Sequence, residues 1–272
     1  MNESESRTLK TVETTFEVID ALKDLERAGV TELANHLEMS KGATYNHLAT
    51  LRNAGYVVKS GDEYMLGYRF MNIGKFVQNR SLLYAVGKQH LDALAAETGE
   101  YAHLMVEQGG LGYYLYRSKG ENAIAEEYHE KKSEDPDYLH YGSPGKAILA
   151  ELPRERVDEI IDEHGLPKAT ENTITSREAL YEELQRTRER GYAIYDEEEV
   201  MGIRAVGTAI TDRQSHVYGA ISVCGPLTRI RGETMEDELP ERVQRTANLI
   251  EIDLQTTLNG DAAGDFHTNL TP

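Results

Sequence analysis

The amino-terminal quarter of the chain carries apolar residues at the three- and four-residue spacing of amphipathic helices. The first stripe consists of Val12, Phe16, Ile19, Leu22 and Leu25. It predicts a helix that ends at Gly29, a residue suited to the left-handed conformation at helix ends. Shorter stripes predict a second helix in residues 30–37 and a third in residues 44–51, which ends at Gly55. The second and third helices are therefore expected to share one small core.

A hairpin pattern follows the third helix. Residues 56–58 and 64–66 have strand-like composition, and Ser60, Gly61 and Asp62 are typical turn residues between them. Two short helices joined by a tight turn and followed by two strands are the layout of a winged helix-turn-helix. The alternative is an ordinary helical hairpin, which the two strands disfavour.

Packing of the second and third helices leaves one face of the third helix exposed. That face carries Gly42, Tyr45, Asn46, Ala49 and Arg52. Short and polar side chains of this kind suit a DNA major groove, which is about 12 Å wide. We expect Asn46 to pair with adenine and Tyr45 to contact a phosphate or a thymine methyl group. His47 lies beside the buried stripe, so we expect it at the edge of the core.

Cationic and hydroxyl side chains around this face are candidates for contacts to DNA phosphates. Lys41 stands at the start of the third helix and Lys59 on the wing. Lys59 fits a second interpretation equally well, because an edge lysine also keeps a strand soluble. The predicted DNA-binding set is Arg7, Lys10, Ser40, Lys41, Gly42, Tyr45, Asn46, Arg52 and Lys59.

The downstream chain mixes helical and strand-like segments without the regular alternation of a parallel α/β fold. Strand-like runs flank Gly109 and Gly110 as a hairpin and recur in residues 138–141, 192–195, 205–210 and 217–223. Helices are predicted to begin near Pro144 and to span residues 154–164, 176–190 and 236–258. Thr175 and Glu178 form a capping pattern before the third of these. These elements predict an α+β domain with a largely antiparallel sheet.

The predicted organisation therefore has four parts. Residues 1–68 form a winged helix-turn-helix domain and residues 69–81 a connecting helix, with a break near its end. Residues 82–258 form the α+β domain. Residues 259–272, rich in Gly, Asp, Asn and Thr, are expected to be a flexible tail.

Composition limits the class of protein. The 272 residues include one cysteine, Cys224, so no disulfide can form within the chain and a reducing interior is expected. No apolar run approaches the roughly 18 residues of a membrane-spanning helix, and the polar start does not resemble a signal peptide. We expect a cytoplasmic protein without a membrane segment.

The net charge of -18 argues against DNA binding until its distribution is considered. Residues 1–80 hold ten Lys and Arg against eleven Asp and Glu, so almost the whole acid excess lies downstream. No acidic residue occurs between Glu38 and Asp62, where Lys41, Arg52 and Lys59 are found. The predicted DNA-binding face is thus locally positive. The acidic remainder resembles, in composition alone, proteins of salt-accumulating microbes.

Three downstream motifs carry a resemblance to a known family. They are HYGSPGKAILAEL at 140–152, GYAIYDEEEVMGIRAVGTAI at 191–210 and GAISVCGPLTRI at 219–230. Together with the winged helix, their order and spacing resemble the IclR family of transcriptional regulators. The resemblance implies an amino-terminal domain that binds operator DNA as a dimer. It also implies a carboxy-terminal domain that binds a small metabolite and often forms tetramers.

The same resemblance places an effector site on three separate segments. The implied residues are Gly142, Ser143, Gly145, Asp196, Ile203, Ala205, Ser222 and Cys224. A helix that starts after Ser143 offers free amide donors, which suit a carboxylate. Ser222 and Cys224 alternate on one strand and so face the same side, although plain core packing also explains them.

This chain departs from the family pattern at several positions. Ala205 stands where members often have Cys, and Tyr195 where an acidic residue is common. Gly42, Ala43 and Asn46 replace the usual Ser-Thr pair and Arg of the recognition helix. The resemblance therefore supports the role of this helix better than any particular operator or effector.

Other chemistries are less consistent with the sequence. The segment 142–146 lacks the spacing of a phosphate-binding loop, and the acidic run 196–199 is expected to be a solvated loop. His103, His129 and His140 do not have zinc-site spacing, so no metal or cofactor is expected.

No nucleophile motif marks an enzyme. We therefore predict a metabolite-controlled regulator that acts as a homodimer or homotetramer on operator DNA. The alternative is a metabolite sensor or enzyme that uses the winged helix only for dimer contacts.

Overall fold

The computed structural model describes residues 8–124, 126 and 135–261, and the chain divides into two compact units after Gln78. The first unit contains α1 (Lys10–Asp24), β1 (Ala28–Gly29), α2 (Val30–His36), α3 (Lys41–Asn53), β2 (Val57–Ser60), β3 (Glu63–Leu66) and most of α4 (Arg69–Arg80). Its three strands form an antiparallel sheet in the order β1-β3-β2. This arrangement is the expected winged helix-turn-helix.

One small core holds the first unit together. It includes Val18 and Leu22 from α1, Leu33 from α2 and Leu48 from α3, and Val57 from the wing closes it. Each of these side chains is almost completely buried. The core thus confirms the predicted packing of α2 against α3.

Two expectations for α1 are wrong. Gly29 does not end the helix in a left-handed conformation, because it is extended and pairs with Glu63 of β3. The chain reverses instead at Glu26, which has a φ of 60°. Val12 and Phe16, which were expected in the buried stripe, are 47% and 61% exposed. The buried part of α1 begins at Val18.

The second unit contains one six-stranded sheet with helices on both faces. In chain order its elements are α5 (Leu82–Thr98), β4 (Tyr101–Gln108), β5 (Leu111–Lys119), β6 (Asp137–Tyr138), α6 (Ser143–Glu151), α7 (Arg154–His164), α8 (Arg177–Arg190), β7 (Ala193–Asp196), β8 (Ile203–Thr211), β9 (Val217–Pro226) and α9 (Leu239–Asp261). The strand order is β6-β5-β4-β9-β8-β7, and all described pairs are antiparallel. The α+β prediction is confirmed.

The two faces of the sheet bury separate cores. On one face, α5 and α9 pack on residues such as Leu104 and Val206. On the other, α6, α7 and α8 pack on residues such as Met105 and Ala220. Successive residues of a strand point to opposite faces, so Leu104 and Met105 enter different cores. The near-continuous apolar runs of β4 and β9 follow from this double burial.

Several helix ends differ from the sequence-based expectations. The cap of α8 is Ser176 rather than Thr175, because the Ser176 hydroxyl accepts a hydrogen bond from the Ala179 amide at 3.2 Å. A π-helical turn, Thr234–Glu238, precedes α9. The last helix continues to Asp261, because extending an existing helix adds one hydrogen bond per ordered residue. The helix therefore extends three residues past its predicted end, and residues 262–272, the remainder of the predicted tail, lie outside the described residues.

Within the described ranges, no helix is both long and apolar enough to cross a membrane.

Candidate functional site

The exposed face of α3 contains the residues that were expected to contact DNA. Thr44, Leu48 and Leu51 point into the core and are buried. Gly42, Tyr45, Asn46 and Arg52 are exposed on the opposite side, as is Lys41 at the start of the helix.

Two residues beside this face make hydrogen bonds within the first unit. The Ser40 hydroxyl accepts a hydrogen bond from the Ala43 amide at 3.2 Å and so caps α3. His47 lies at the core edge, as expected, with Nδ1 2.9 Å from Thr15 Oγ1.

The residues outside α3 that are predicted to contact phosphates differ from one another in their surroundings. Lys10 is exposed at the first position of α1, and Arg7 lies outside the described residues. On the wing, Lys59 Nζ is 3.9 Å from an Asp62 carboxylate oxygen and 5.5 Å from the centre of the Tyr64 ring. These contacts leave both interpretations of Lys59 open.

In the second unit, a cavity lies where the amino end of α6 meets the sheet; we call it the sheet pocket. Six of the eight expected effector residues line it: Gly142, Ser143, Ile203, Ala205, Ser222 and Cys224. The sequence separates these segments widely, and the fold places them together because β8 and β9 are neighbours.

Strand register explains the sheet side of the pocket. Ser222 and Cys224 point to the same side of β9, and Cys224 pairs with Ala205 of β8. On the other side of β9, His103 of β4 pairs with Ser222. His103 Nδ1 lies 3.8 Å from Cys224 Sγ, and its ring centre is 5.2 Å from that of Tyr114. An imidazole and two phenol rings, those of Tyr114 and Tyr195, therefore join the predicted residues in the lining.

The amino end of α6 forms the opposite side. Gly142 is the cap residue and Ser143 the first helical residue. Ser143 is fully buried, and its hydroxyl oxygen has no hydrogen-bond partner within the described part of the chain. This hydroxyl and the positive end of the helix dipole suit an anionic group.

Gly145 and Asp196 do not line the sheet pocket. A Cβ at Gly145 would lie 2.2 Å from the Leu139 carbonyl oxygen, so this glycine allows α6 to pass close to the preceding turn. Asp196 instead binds the Arg204 guanidinium with hydrogen bonds of 2.6 and 3.0 Å. Both residues have structural contacts that explain their identity.

Two family descriptions match the chain. "Bacterial transcriptional regulator IclR C-terminal" matches residues 74–252, and "IclR helix-turn-helix domain" matches residues 11–61. The chain belongs to the IclR family of transcriptional regulators.

The chain is also similar to individual proteins whose sequences or structures are known. A probable HTH-type transcriptional regulator ArcR from Halobacterium salinarum is 38% identical over 256 residues, which cover 94% of this chain and 97% of the relative. The Thermotoga maritima IclR crystal structure is 29% identical with a TM-score of 0.72, covering 91% of this chain and 99% of that one. An IclR homologue from Microbacterium hydrocarbonoxydans complexed with 4-hydroxybenzoate has the same fold, with a TM-score of 0.75, 18% identity and coverage of 90% and 98%.

The expectation that residues 196–199 of this IclR-family chain form a solvated loop is wrong. Glu198 is only 7% exposed, and both of its carboxylate oxygens accept hydrogen bonds of 2.6 Å from Lys146 Nζ. Burial raises the pKa of Glu198 to about 7, and Lys146 opposes that shift. The sequence could not reveal this pair, because its members are 52 positions apart.

The histidines of this IclR-family chain are dispersed. His103 lines the sheet pocket, and His140 Nε2 lies 3.1 Å from the Pro167 carbonyl oxygen. Burial lowers the pKa of His140. His129 lies outside the described residues. Among the residues that are described, no group of three or more His, Cys, Asp or Glu could hold a metal ion.

Proposed function

We propose that this chain is a metabolite-controlled IclR-family regulator that binds operator DNA through α3 and a small carboxylate in the sheet pocket. The observation that carries the effector part is the buried Ser143 hydroxyl at the amino end of α6, which has no hydrogen-bond partner within the described residues. A carboxylate placed there would accept a hydrogen bond from this hydroxyl and would lie at the positive end of the helix dipole. A structural relative that holds 4-hydroxybenzoate supports this class of ligand.

The exposed surface of α3 supports the DNA part. Lys41, Asn46 and Arg52 are exposed beside a core that fixes the helix in place. Asn46 presents an amide to the edge of an adenine, and Lys41 supplies charge for a phosphate. The acid excess lies downstream of residue 80, so it does not surround this face in the sequence.

We further propose that this excess is an adaptation to high salt and that the protein acts in the cytoplasm.

We also propose that the protein acts as a homodimer or homotetramer. The first unit has apolar side chains that its own core does not cover: Ile73 and Val77, one turn apart on α4, are 42% and 58% exposed. Neighbouring exposed apolar side chains are typical of an interface. Sedimentation of the purified chain measures this directly, and a monomer at micromolar concentration would contradict it.

The DNA-binding part of the proposal is tested with DNA fragments that the full chain selects from a random library. Asn46→Ala should weaken binding to the selected sequence by about 5- to 150-fold, since one bidentate base contact is worth about 1–3 kcal/mol. Asn72→Ala, which changes an exposed residue of α4, is the matched control. Unchanged affinity of the Asn46 variant would exclude α3 as the reading helix.

The effector arm repeats the binding measurement with a panel of small carboxylates that includes 4-hydroxybenzoate. A ligand that binds the sheet pocket should change operator affinity in the unaltered chain. Ser143→Ala should weaken binding of that ligand while leaving affinity for DNA without ligand unchanged. If ligands bind and operator affinity remains constant for all of them, the regulatory part of the proposal fails.

A further inference from the structure

The segment between β7 and β8 covers one side of the sheet pocket. We call residues 197–202 the strap. Glu199 within it lines the pocket, and so does Ile203 directly after it. The opposite side is formed by Gly142 and Ser143 at the amino end of α6. A ligand in the pocket would therefore touch two segments that have to be held at a fixed separation.

Lys146 connects these two segments. It lies on α6 one turn after Ser143, its side chain is only 1% exposed, and its ammonium group donates hydrogen bonds of 2.6 Å to both oxygens of Glu198 in the strap. Glu183 of α8 lies 4.0 Å from the same ammonium. Glu183 is itself held by Arg190 at 2.6 Å. The connection between α6 and the strap is therefore an ion pair inside a buried network.

Further hydrogen bonds hold the strap to residues outside α6. Thr170 and Thr173, in the loop before α8, donate hydrogen bonds of 2.7 and 2.5 Å to the carbonyl oxygens of Glu197 and Glu198. The Val200 amide donates to the Tyr195 hydroxyl at 2.7 Å. These neutral hydrogen bonds fix the shape of the strap. Among the side-chain contacts described, the Lys146–Glu198 pair ties it to the helix that lines the pocket.

We propose that Lys146 and Glu198 are positioning residues of the effector site: their ion pair holds the strap against α6 so that both sides of the sheet pocket meet one ligand. The inference rests on the proposed function, because it assigns these residues to the binding of the same ligand. Neither residue lines the pocket, so their effect acts through Ser143 on one side and Glu199 on the other.

A suitable double variant can distinguish the positioning role of this ion pair from a contribution to fold stability alone. A buried ion pair has a large desolvation cost, and replacing both partners with apolar side chains of similar volume often leaves stability unchanged or higher. Removing one partner alone leaves a buried charge and destabilises the fold. The double variant Lys146→Met, Glu198→Leu therefore removes the connection while preserving the packing. A purely structural pair would leave ligand affinity unchanged in this variant.

The first measurement follows the strap itself and needs no ligand. Met201, at 64% exposure, is replaced by cysteine and spin-labelled in a Cys224→Ser chain, which has no other thiol. We expect the label to be more mobile in the Lys146→Met, Glu198→Leu chain than in the chain that retains the ion pair. The control Arg245→Met, Glu97→Gln removes an exposed ion pair between α9 and α5, which makes no described contact with the strap, and should leave the label unaffected. Equal mobility in all three chains would overturn the proposal.

The second measurement is the calorimetric affinity of the full chain, with native Cys224 and Met201, for 4-hydroxybenzoate or another carboxylate that the unaltered chain binds. We expect at least a tenfold loss in the double variant at an unchanged melting temperature. The isosteric variant Glu198→Gln provides a second test if the double variant does not fold. Unchanged affinity in a folded variant would refute the positioning role. If the unaltered chain binds no carboxylate, the proposed function fails, whereas strap mobility still decides the inference.

Discussion

The Glu198 carboxylate binds the ammonium of Lys146, which also faces the Glu183 carboxylate, and it is almost out of contact with water. Burial is the main cause of its raised pKa of about 7, and the neighbouring Glu183 and Asp196 act in the same direction, whereas Lys146 acts in the opposite one. A carboxyl group with such a pKa changes charge near neutrality. The strength of the Lys146–Glu198 pair therefore depends on pH in the range where a cell operates.

The first prediction concerns this titration. The pKa of Glu198 is higher in the folded chain than the ordinary 4.5, so the folded state holds its proton longer than the unfolded state does. The stability associated with that proton is present below pH 4.5 and is lost as pH rises towards 7. Relative to Glu198→Gln, the free energy of unfolding should fall by about 1–3 kcal/mol over this interval.

Chemical denaturation at a series of pH values measures this difference. Glu171→Gln changes an exposed glutamate and should retain the pH dependence of the unaltered chain. A constant difference between the unaltered chain and Glu198→Gln from pH 4.5 to 8 would show that Glu198 keeps an ordinary pKa.

Residues of the sheet pocket differ in how far the sequence could identify them. Alternation along one strand is enough to place Ser222 and Cys224 on one side, and this geometry is what the structure contains. His103 and Tyr114 required knowledge of which strands pair, since both come from a hairpin that reaches the pocket only through the β4–β9 contact. Strand order depends on tertiary packing, and local periodicity does not encode it.

At the scale of elements, the position of α6 depends on two close approaches to backbone. A Cβ at Gly207 of β8 would lie 2.8 Å from the Ser143 carbonyl carbon, and one at Gly145 would collide with Leu139. Gly207 lets the amino end of α6 contact the sheet directly, and Gly145 lets α6 pass close to the turn before it. The resemblance implies Gly145 as an effector residue, and the structure shows its close packing against Leu139. A motif alone does not distinguish a contact residue from a packing residue.

The second prediction separates capping from DNA binding at the start of α3. Ser40 caps α3 and Ser176 caps α8, each through a hydroxyl that accepts an amide hydrogen bond of 3.2 Å. Aspartate is an equally good cap, so Ser40→Asp and Ser176→Asp should both retain the stability of the unaltered chain. Only Ser40→Asp places a negative charge beside the proposed DNA face, where repulsion from a phosphate should weaken affinity about tenfold.

Melting temperatures and DNA affinities of the two variants test this prediction together. Equal losses of DNA affinity for both would place the effect outside α3. No loss for Ser40→Asp would mean that the start of α3 does not approach a phosphate.

At the scale of the whole molecule, charge is divided unequally along the chain. Residues 1–80 are almost neutral, whereas residues 81–272 hold nineteen Lys and Arg against thirty-six Asp and Glu. The sequence alone supports this partition, and the two-unit division after Gln78 falls close to it. Few cations are available for DNA: Lys10, Lys41, Arg52 and Lys59 are the described candidates. We therefore expect shape and hydrogen bonding to bases to supply a large part of the proposed specific affinity.

The third prediction follows from this small number of cations. Each neutralised phosphate contributes about -0.9 to the slope of log affinity against log salt concentration, so four contacts per chain give a slope of about -3 to -4 per chain. Lys41→Ala should reduce the magnitude by about 0.9 per chain, because it removes one phosphate contact. Asn46→Ala should lower affinity at every salt concentration and leave the slope unchanged, because a base contact releases no counterion.

A salt titration of the three proteins on one selected DNA fragment distinguishes these roles, with Lys168→Ala in the second unit as the control. If Lys41→Ala leaves the slope unchanged, Lys41 does not contact a phosphate, and the orientation of α3 on DNA has to be revised. If instead Asn46→Ala flattens the slope, its effect is general and not confined to a base. The pair of slopes thus tests the orientation of the helix as well as its involvement, since Lys41 and Asn46 lie at different points along the same exposed face.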